Sequence, residues 1–207
     1  GVLSWDNSPQ FKAENIPTVV YGQDSGNNYD TIEPDFERLI DNAFEYLVGL
    51  GHRKIGFIGI KEDPRYFFFE QLAPKYGIIC KPEWQSFFAY SNPCEDCMKQ
   101  LLQQCGGDLP TAVFVQSDSF AMPAIKYTYR AGLRVPEDIS IISCDNIKMA
   151  EFYQPSLTTF DINLEEIAAV MIEQLLARMS QPEAALKTIK IRPALVRRES
   201  CSSPKKQ

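Results

Sequence analysis

Little in this chain invites a catalytic reading. Its 207 residues include one histidine, His52, and no run of apolar residues long enough to cross a bilayer. It contains no Gly-x-Ser-x-Gly elbow, no His-Glu-x-x-His pair and no glycine-rich loop that could cradle a phosphate. A sugar-active enzyme would need a catalytic acid pair or a nucleophile, and neither stands out. Positive charge is also short: 21 Lys and Arg face 27 Asp and Glu, for a formal net charge of −6. Phosphate backbones are held by basic faces, so this segment is not expected to hold nucleic acid itself. Lys205 and Lys206 read as a solvated tail. Internal repeats and low-complexity stretches are missing too. Binding without turnover is the expectation, with no catalytic residue, metal or cofactor.

What is present is apolar and ordered. Hydrophobic residues make up 44% of the chain, enough for one core or two modest lobes. Six cysteines stand at 80, 94, 97, 105, 144 and 201. Cys94 and Cys97 have a spacing found in zinc and redox sites, but no second pair accompanies them. Met98, Leu101 and Leu102 continue the stretch as a helix face, which favours structural thiols. Free thiols in a chain of this size suit a reducing cytoplasm. No signal peptide is visible, and Gly1 stands in mid-pattern, which leaves room for an upstream segment.

Strands and helices alternate along the chain. Val2 to Trp5 and Thr18 to Tyr21 read as strands, and Asp35 can cap a helix whose apolar positions run from Phe36 to Leu47 before Gly51. Strands are expected at Ile55 to Ile60, Phe87 to Tyr90, Ala112 to Gln116, 139–143 and Leu157 to Phe160, with Ile189 to Val196 extended. Helices are expected at Arg65 to Tyr76, Cys94 to Cys105, Ser119 to Ala131, briefly near Met149, and from Asn163 or Leu164 to Met179. Such alternation implies right-handed βαβ units and parallel sheets, an α/β fold.

The last third is the most specific. After Gly132 and the turn Val135-Pro136-Glu137-Asp138, an apolar run from Ile139 leads to Asp145. That places an acid just past the carboxyl end of a buried strand, where open α/β sheets bind ligands. The segment from Arg130 to Ile147, with Glu151-Phe-Tyr-Gln-Pro-Ser-Leu-Thr-Thr-Phe160, resembles the end of the sensor domain of the LacI/GalR family of bacterial transcription regulators. Gly51 to Gly59, Leu109 to Val115 with Asp118, and Leu195 to Ser200 match the same family in the same order. Tyr29-Asp-Thr-Ile with Asp35-Phe-Glu37 resembles its lactose- and galactoside-responsive members most.

The resemblance implies a periplasmic-binding-protein-like fold: two parallel-sheet, Rossmann-like lobes joined by three crossings, with a small-molecule effector, a sugar or galactoside, between them. It places residues 1–34 and 162–187 in an N-terminal lobe, 35–161 and 188–200 in a C-terminal lobe, and 201–207 in a tail. It also implies that the opening units of the N-terminal lobe and the DNA-binding headpiece lie outside this chain. Operator DNA would be contacted through that headpiece, in a homodimer, in the cytoplasm and away from membranes. A periplasmic sugar-binding protein of a transport system shares the fold and is the alternative.

For site residues, the resemblance puts effector contacts at Asp145 and Arg65. Asp145 could instead cap the following helical segment, and Arg65 could be a surface arginine paired with Glu62 or Asp63. Tyr90 is a candidate platform for a sugar's apolar face or a rim tyrosine, and Ser117 could offer one hydroxyl. Asp118 reads as a helix cap. Gly22 stands where the family frequently carries an aspartate, so Gln23 or Asp24 is the expected substitute. Phe67-Phe68-Phe69 departs from the small residue usual after the arginine, and the family's Gly-His pair makes His52 structural.

Overall fold

The computed structural model describes residues 1–4, 15–22, 28–89 and 96–205. The chain forms two compact units, Gly1–Asp35 with Ile162–Pro193, and Phe36–Asp161 with Ala194–Gln207. It passes between them after Asp35, Asp161 and Pro193.

The first unit holds a four-stranded parallel sheet in the order β1 (Val2–Ser4), β2 (Thr18–Tyr21), β3 (Asp30–Pro34) and β9 (Thr188–Ile191). Helix α6 (Leu164–Ser180) lies against it. Val19, Ile32 and Ile191 of the strands pack with Ile167 and Met171 of the helix, so burial of one helix stripe fixes the pairing. Asn163 starts the helix at φ 56, its side chain accepting from the Glu166 amide at 3.3 Å. Strand β3 carries Asp30, Thr31 and Glu33 among its buried residues, and this polar content hides it from a hydrophobic scan. Because β9 pairs with β3, residues 188–191 belong to this unit, and the third crossing falls after Pro193 rather than at 188.

The second unit contains a six-stranded sheet in the order β10 (Ala194–Val196), β8 (Thr158–Asp161), β7 (Ser140–Cys144), β6 (Ala112–Val115), β4 (Ile55–Gly59) and β5 (Gln85–Phe87). All pairs are parallel except β10 with β8, an antiparallel edge that strand–helix alternation does not announce. Its helices are α1 (Phe36–Gly49), α2 (Pro64–Leu72), α3 (Cys97–Gln104), α4 (Asp118–Arg130) and α5 (Met149–Phe152). Ile58, Val113, Val115 and Ile141 of the strands bury against Leu101, Ile125 and Trp84.

Two boundaries differ from expectation for local reasons. Pro74 ends α2 at Leu72, and a 3-10 turn carries the chain to Tyr76 before Gly77 reverses it at φ 62. Trp84 closes a second such turn and is fully buried, which draws β5 forward to 85–87 from the expected 87–90. Gly56 permits that close approach, since a methyl group there would sit 2.5 Å from the Trp84 carbonyl oxygen. The expected tail is anchored as well: the Ser202 amide donates to Ser140 Oγ at 3.1 Å, and Lys205 pairs with Asp138.

Candidate functional site

The carboxyl ends of β4, β6 and β7 bring Arg65, Ser117 and Asp145 to one edge of the second unit. Each follows its strand by one short loop, so the parallel topology does the gathering. Of the six residues expected at an effector site, these three can be placed. Tyr90, Gln23 and Asp24 lie outside the described residues.

Arg65 is built into the start of α2. Asp63 caps the helix by accepting from the Arg65 amide at 2.9 Å, and Pro64, with its preset φ, occupies the first helical position. The same carboxylate takes the guanidinium from Nε at 2.7 Å and Nη2 at 2.8 Å, while Nη1 donates to the Gln116 carbonyl at 3.0 Å. The guanidinium carbon lies 4.9 Å from the centre of the Phe36 ring. Burial pulls the Arg65 pKa down, but Asp63 outweighs it and the net shift is upward. The expected alternative partner is therefore real, yet the pair is not a surface one: the two side chains are 12% and 5% exposed.

Asp145 does not cap the following helix. It sits half-buried at φ 112, followed by Asn146 at φ 50, two consecutive non-glycine residues in left-handed space. Burial pushes its carboxyl pKa up, and hydrogen bonds from Ser117 and Cys144 with the nearby Arg65 charge draw it partly back. Ser117 thus acts on Asp145, and its oxygen also accepts from the Ser119 amide at 3.3 Å as the cap of α4. Cys144 is fully buried, which holds its thiol well above the usual range and so protonated.

The strained turn is braced from beneath. The Asp145 amide donates to the Phe160 carbonyl at 2.8 Å, and the Asn146 amide to Thr159 Oγ1 at 3.4 Å. The Ile147 amide donates to Asp118 Oδ2 at 2.9 Å. Asp118 is not the cap expected: it is fully buried, and its other oxygen accepts from Thr159 Oγ1 at 2.6 Å and from Ser143. Desolvation raises its pKa against these donors. The Asn146 side chain donates to Asp161 at 3.0 Å and accepts from Arg198 at 2.8 Å, joining the turn to the last residue of β8 and to the segment after β10.

Sequence reading missed the capping role of Asp63, and it missed Gln116, Asn146 and Arg198. The Asp-Pro-Arg order at 63–65 carried a cap signal that could have found the first. The others act through contacts distant in sequence and left no local trace.

His52 is structural, as expected. Its Nε2 donates to the Ser202 carbonyl at 2.8 Å, which assigns the proton there, and Nδ1 meets the Thr111 hydroxyl at 2.9 Å. Among the described residues no cluster of His, Cys, Asp and Glu could hold a metal ion, and no helix is long and apolar enough to cross a membrane. Cys97 is buried, and its neighbour in the Cys-x-x-Cys spacing, Cys94, lies outside the described residues.

The family model described as periplasmic binding protein-like domain matches residues 44–201. Among curated relatives, the HTH-type transcriptional repressor PurR of Pectobacterium carotovorum is 37% identical over 201 residues, covering 89% of this chain and 56% of the relative. The PurR repressor of Mannheimia succiniciproducens is 33% identical over 188 residues, covering 84% and 55%. The chain thus spans a little over half the length of these relatives. Among solved structures, a LacI family transcriptional regulator from Enterococcus faecium with bound ribose superposes with a TM-score of 0.76 at 25% identity, covering 93% of this chain and 73% of that one. A LacI regulator from Bacillus cereus superposes at 0.82 with 24% identity, covering 97% and 74%, a likeness of fold. The family model and the repressor relatives agree: the chain belongs to the periplasmic binding protein-like domain family and is of the LacI/GalR type.

Proposed function

We propose that this chain is the effector-sensing portion of a LacI-type transcriptional repressor, and that it binds a small sugar at the edge formed by Arg65, Ser117 and Asp145. The observation that carries the reading is the turn at Asp145. A half-buried carboxylate sits on a turn of strained φ whose backbone amides donate to Phe160, Thr159 and Asp118, an arrangement suited to presenting an acceptor to ligand hydroxyls. The ribose-bound regulator from Enterococcus faecium supports a sugar as the ligand class. Operator contact belongs to a helix-turn-helix headpiece of the kind the curated relatives' name records, acting in a homodimer in the cytoplasm. Ligand binding without turnover is the activity. A transport binding protein shares the fold, but the relatives at 33–37% identity are repressors.

Isothermal titration of a panel of galactosides and pentoses tests the reading. The Asp145→Ala variant should bind its best ligand more than tenfold more weakly, since losing a hydrogen bond to a charged group costs roughly 1.5–3 kcal/mol. Unchanged affinity in the variant would remove Asp145 from the site, and silence across the whole panel would remove the sugar.

A further inference from the structure

A shielded arginine beside a ligand edge is ordinarily an anion site, because its planar fork matches a carboxylate or phosphate. Arg65 is different, because the Nε and Nη2 side of its fork already holds Asp63, at 2.7 and 2.8 Å. Asp63 is fixed in turn. Its carboxylate also accepts from the Arg65 amide at 2.9 Å and from Gln116 Nε2 at 2.8 Å, and Gln116 Oε1 is anchored by the Ile60 amide at 2.7 Å. An incoming anion that displaced Asp63 would strand a buried carboxylate without its cation, which is strongly unfavourable. One that did not displace it would face Asp63 and Asp145 together against a single guanidinium. A hydroxyl meets no such conflict. It can donate to Asp145 and accept from one of the roughly two guanidinium N–H groups left over once three of the five are engaged.

We infer that Asp63 sets the chemical class of the effector: by neutralising Arg65 it makes this edge a site for an uncharged polyhydroxy ligand and rejects phosphorylated or carboxylate ones. The inference rests on the effector-site reading above and deepens it. Asp63 acts through Arg65 and is a positioning residue, set by the Asp-Pro-Arg order at 63–65.

The test titrates D-ribose, D-ribose 5-phosphate and inorganic phosphate into the 207-residue chain and into Asp63→Asn, with circular dichroism and a melting curve confirming the fold of each. Asp63→Ser, which keeps a capping oxygen, replaces the variant if Asn does not fold. The wild type should bind ribose at least tenfold more tightly than ribose 5-phosphate and show no inorganic phosphate binding at millimolar concentration. The variant should shift the ratio toward the phosphorylated sugar by tenfold or more and should bind inorganic phosphate. Wild-type binding of either phosphate that Arg65→Gln abolishes would overturn the inference while leaving the site reading intact. If neither sugar binds the wild type, the choice of sugar in the site reading fails, and inorganic phosphate decides alone. Its capture by the variant and not by the wild type upholds the role of Asp63; no capture by either sinks it.

Discussion

Asp145 and Asn146 hold backbone conformations that non-glycine residues avoid, at roughly 1–3 kcal/mol for each such residue. Their amides are received by β8, the Ile147 amide that follows by Asp118, and the Asn146 side chain is gripped by Asp161 and Arg198. The result is an acid whose position is settled in advance, which would lower the ordering cost of binding at the proposed site. His52 illustrates the opposite use of a polar residue. It is 1% exposed and holds the Ser202 carbonyl to the start of β4, and burial depresses its pKa. Its folded pKa therefore lies below the unfolded value near 6.5, so the unfolded chain binds more protons as pH falls through that range. Stability conferred by neutral His52 is complete above about pH 6.5 and declines below it toward the folded pKa. His52→Ala should lower stability by roughly 1–3 kcal/mol at pH 7.5, because two partly buried partners lose a hydrogen bond. It should also flatten the wild type's loss of stability between pH 7 and 5.5 in urea titrations, leaving ligand affinity unaltered. A selective loss of binding with normal melting would move His52 into the site.

At the scale of elements, the first unit depends on one buried ion pair. Arg178 of α6 donates Nε to Asp30 of β3 at 2.7 Å and Nη2 to its other oxygen at 3.1 Å. Its remaining donors reach the carbonyls of Pro182, Ala184 and Ala185, so one guanidinium shapes the turn between α6 and β9. Burial raises the Asp30 pKa, but Arg178 and the Lys187 amide outweigh it and the net shift is downward. Arg178→Met would leave Asp30, a fully buried carboxylate, without its cation. A loss of roughly 3–5 kcal/mol is expected. Hydrogen exchange should show deprotection concentrated in β3, α6 and β9, and protection equal to wild type in those elements would disprove the role. This pair also shows where sequence reading stops. Helices such as α1 and α4 were legible because their apolar spacing is local, and Arg65 and Asp145 because strand ends and family motifs mark them. Strand β3 was not, since its buried Asp30 makes sense only beside an arginine 148 residues away. Asp118 has the same character: its partners Ser143 and Thr159 come from two later strands, and nothing in residues 117–120 distinguishes it from a cap.

At the scale of the whole molecule, charge bears on the proposed separation of sensing from DNA contact. The chain carries a net charge of −6, and several of its described cations are tied to carboxylates: Lys54 and Lys81 with Asp108, Lys75 with Asp41, Lys205 and Arg134 with Asp138, Arg178 with Asp30. Affinity for a duplex grows with each phosphate neutralised and counterion released, and it falls with salt at a slope of about 0.9 per contact. Cations tied to carboxylates are poorly available for such contacts, and the excess of Asp and Glu surrounds the others with repulsive charge. The 207-residue chain alone should therefore show no retention of a labelled duplex in gel shift at 150 mM salt, with or without sugar. Recovery of retention on lowering the salt to 50 mM would measure a residual nonspecific term and should be the same for any duplex sequence. Sequence-selective retention at 150 mM would contradict the assignment of operator contact to a separate headpiece, because a net-acidic chain would then be reading bases. An acidic chain is compatible with the proposed function: ligand selection as proposed for Asp145, Arg65 and Asp63 would depend on a few shielded groups, whereas DNA attraction depends on the sum over the surface.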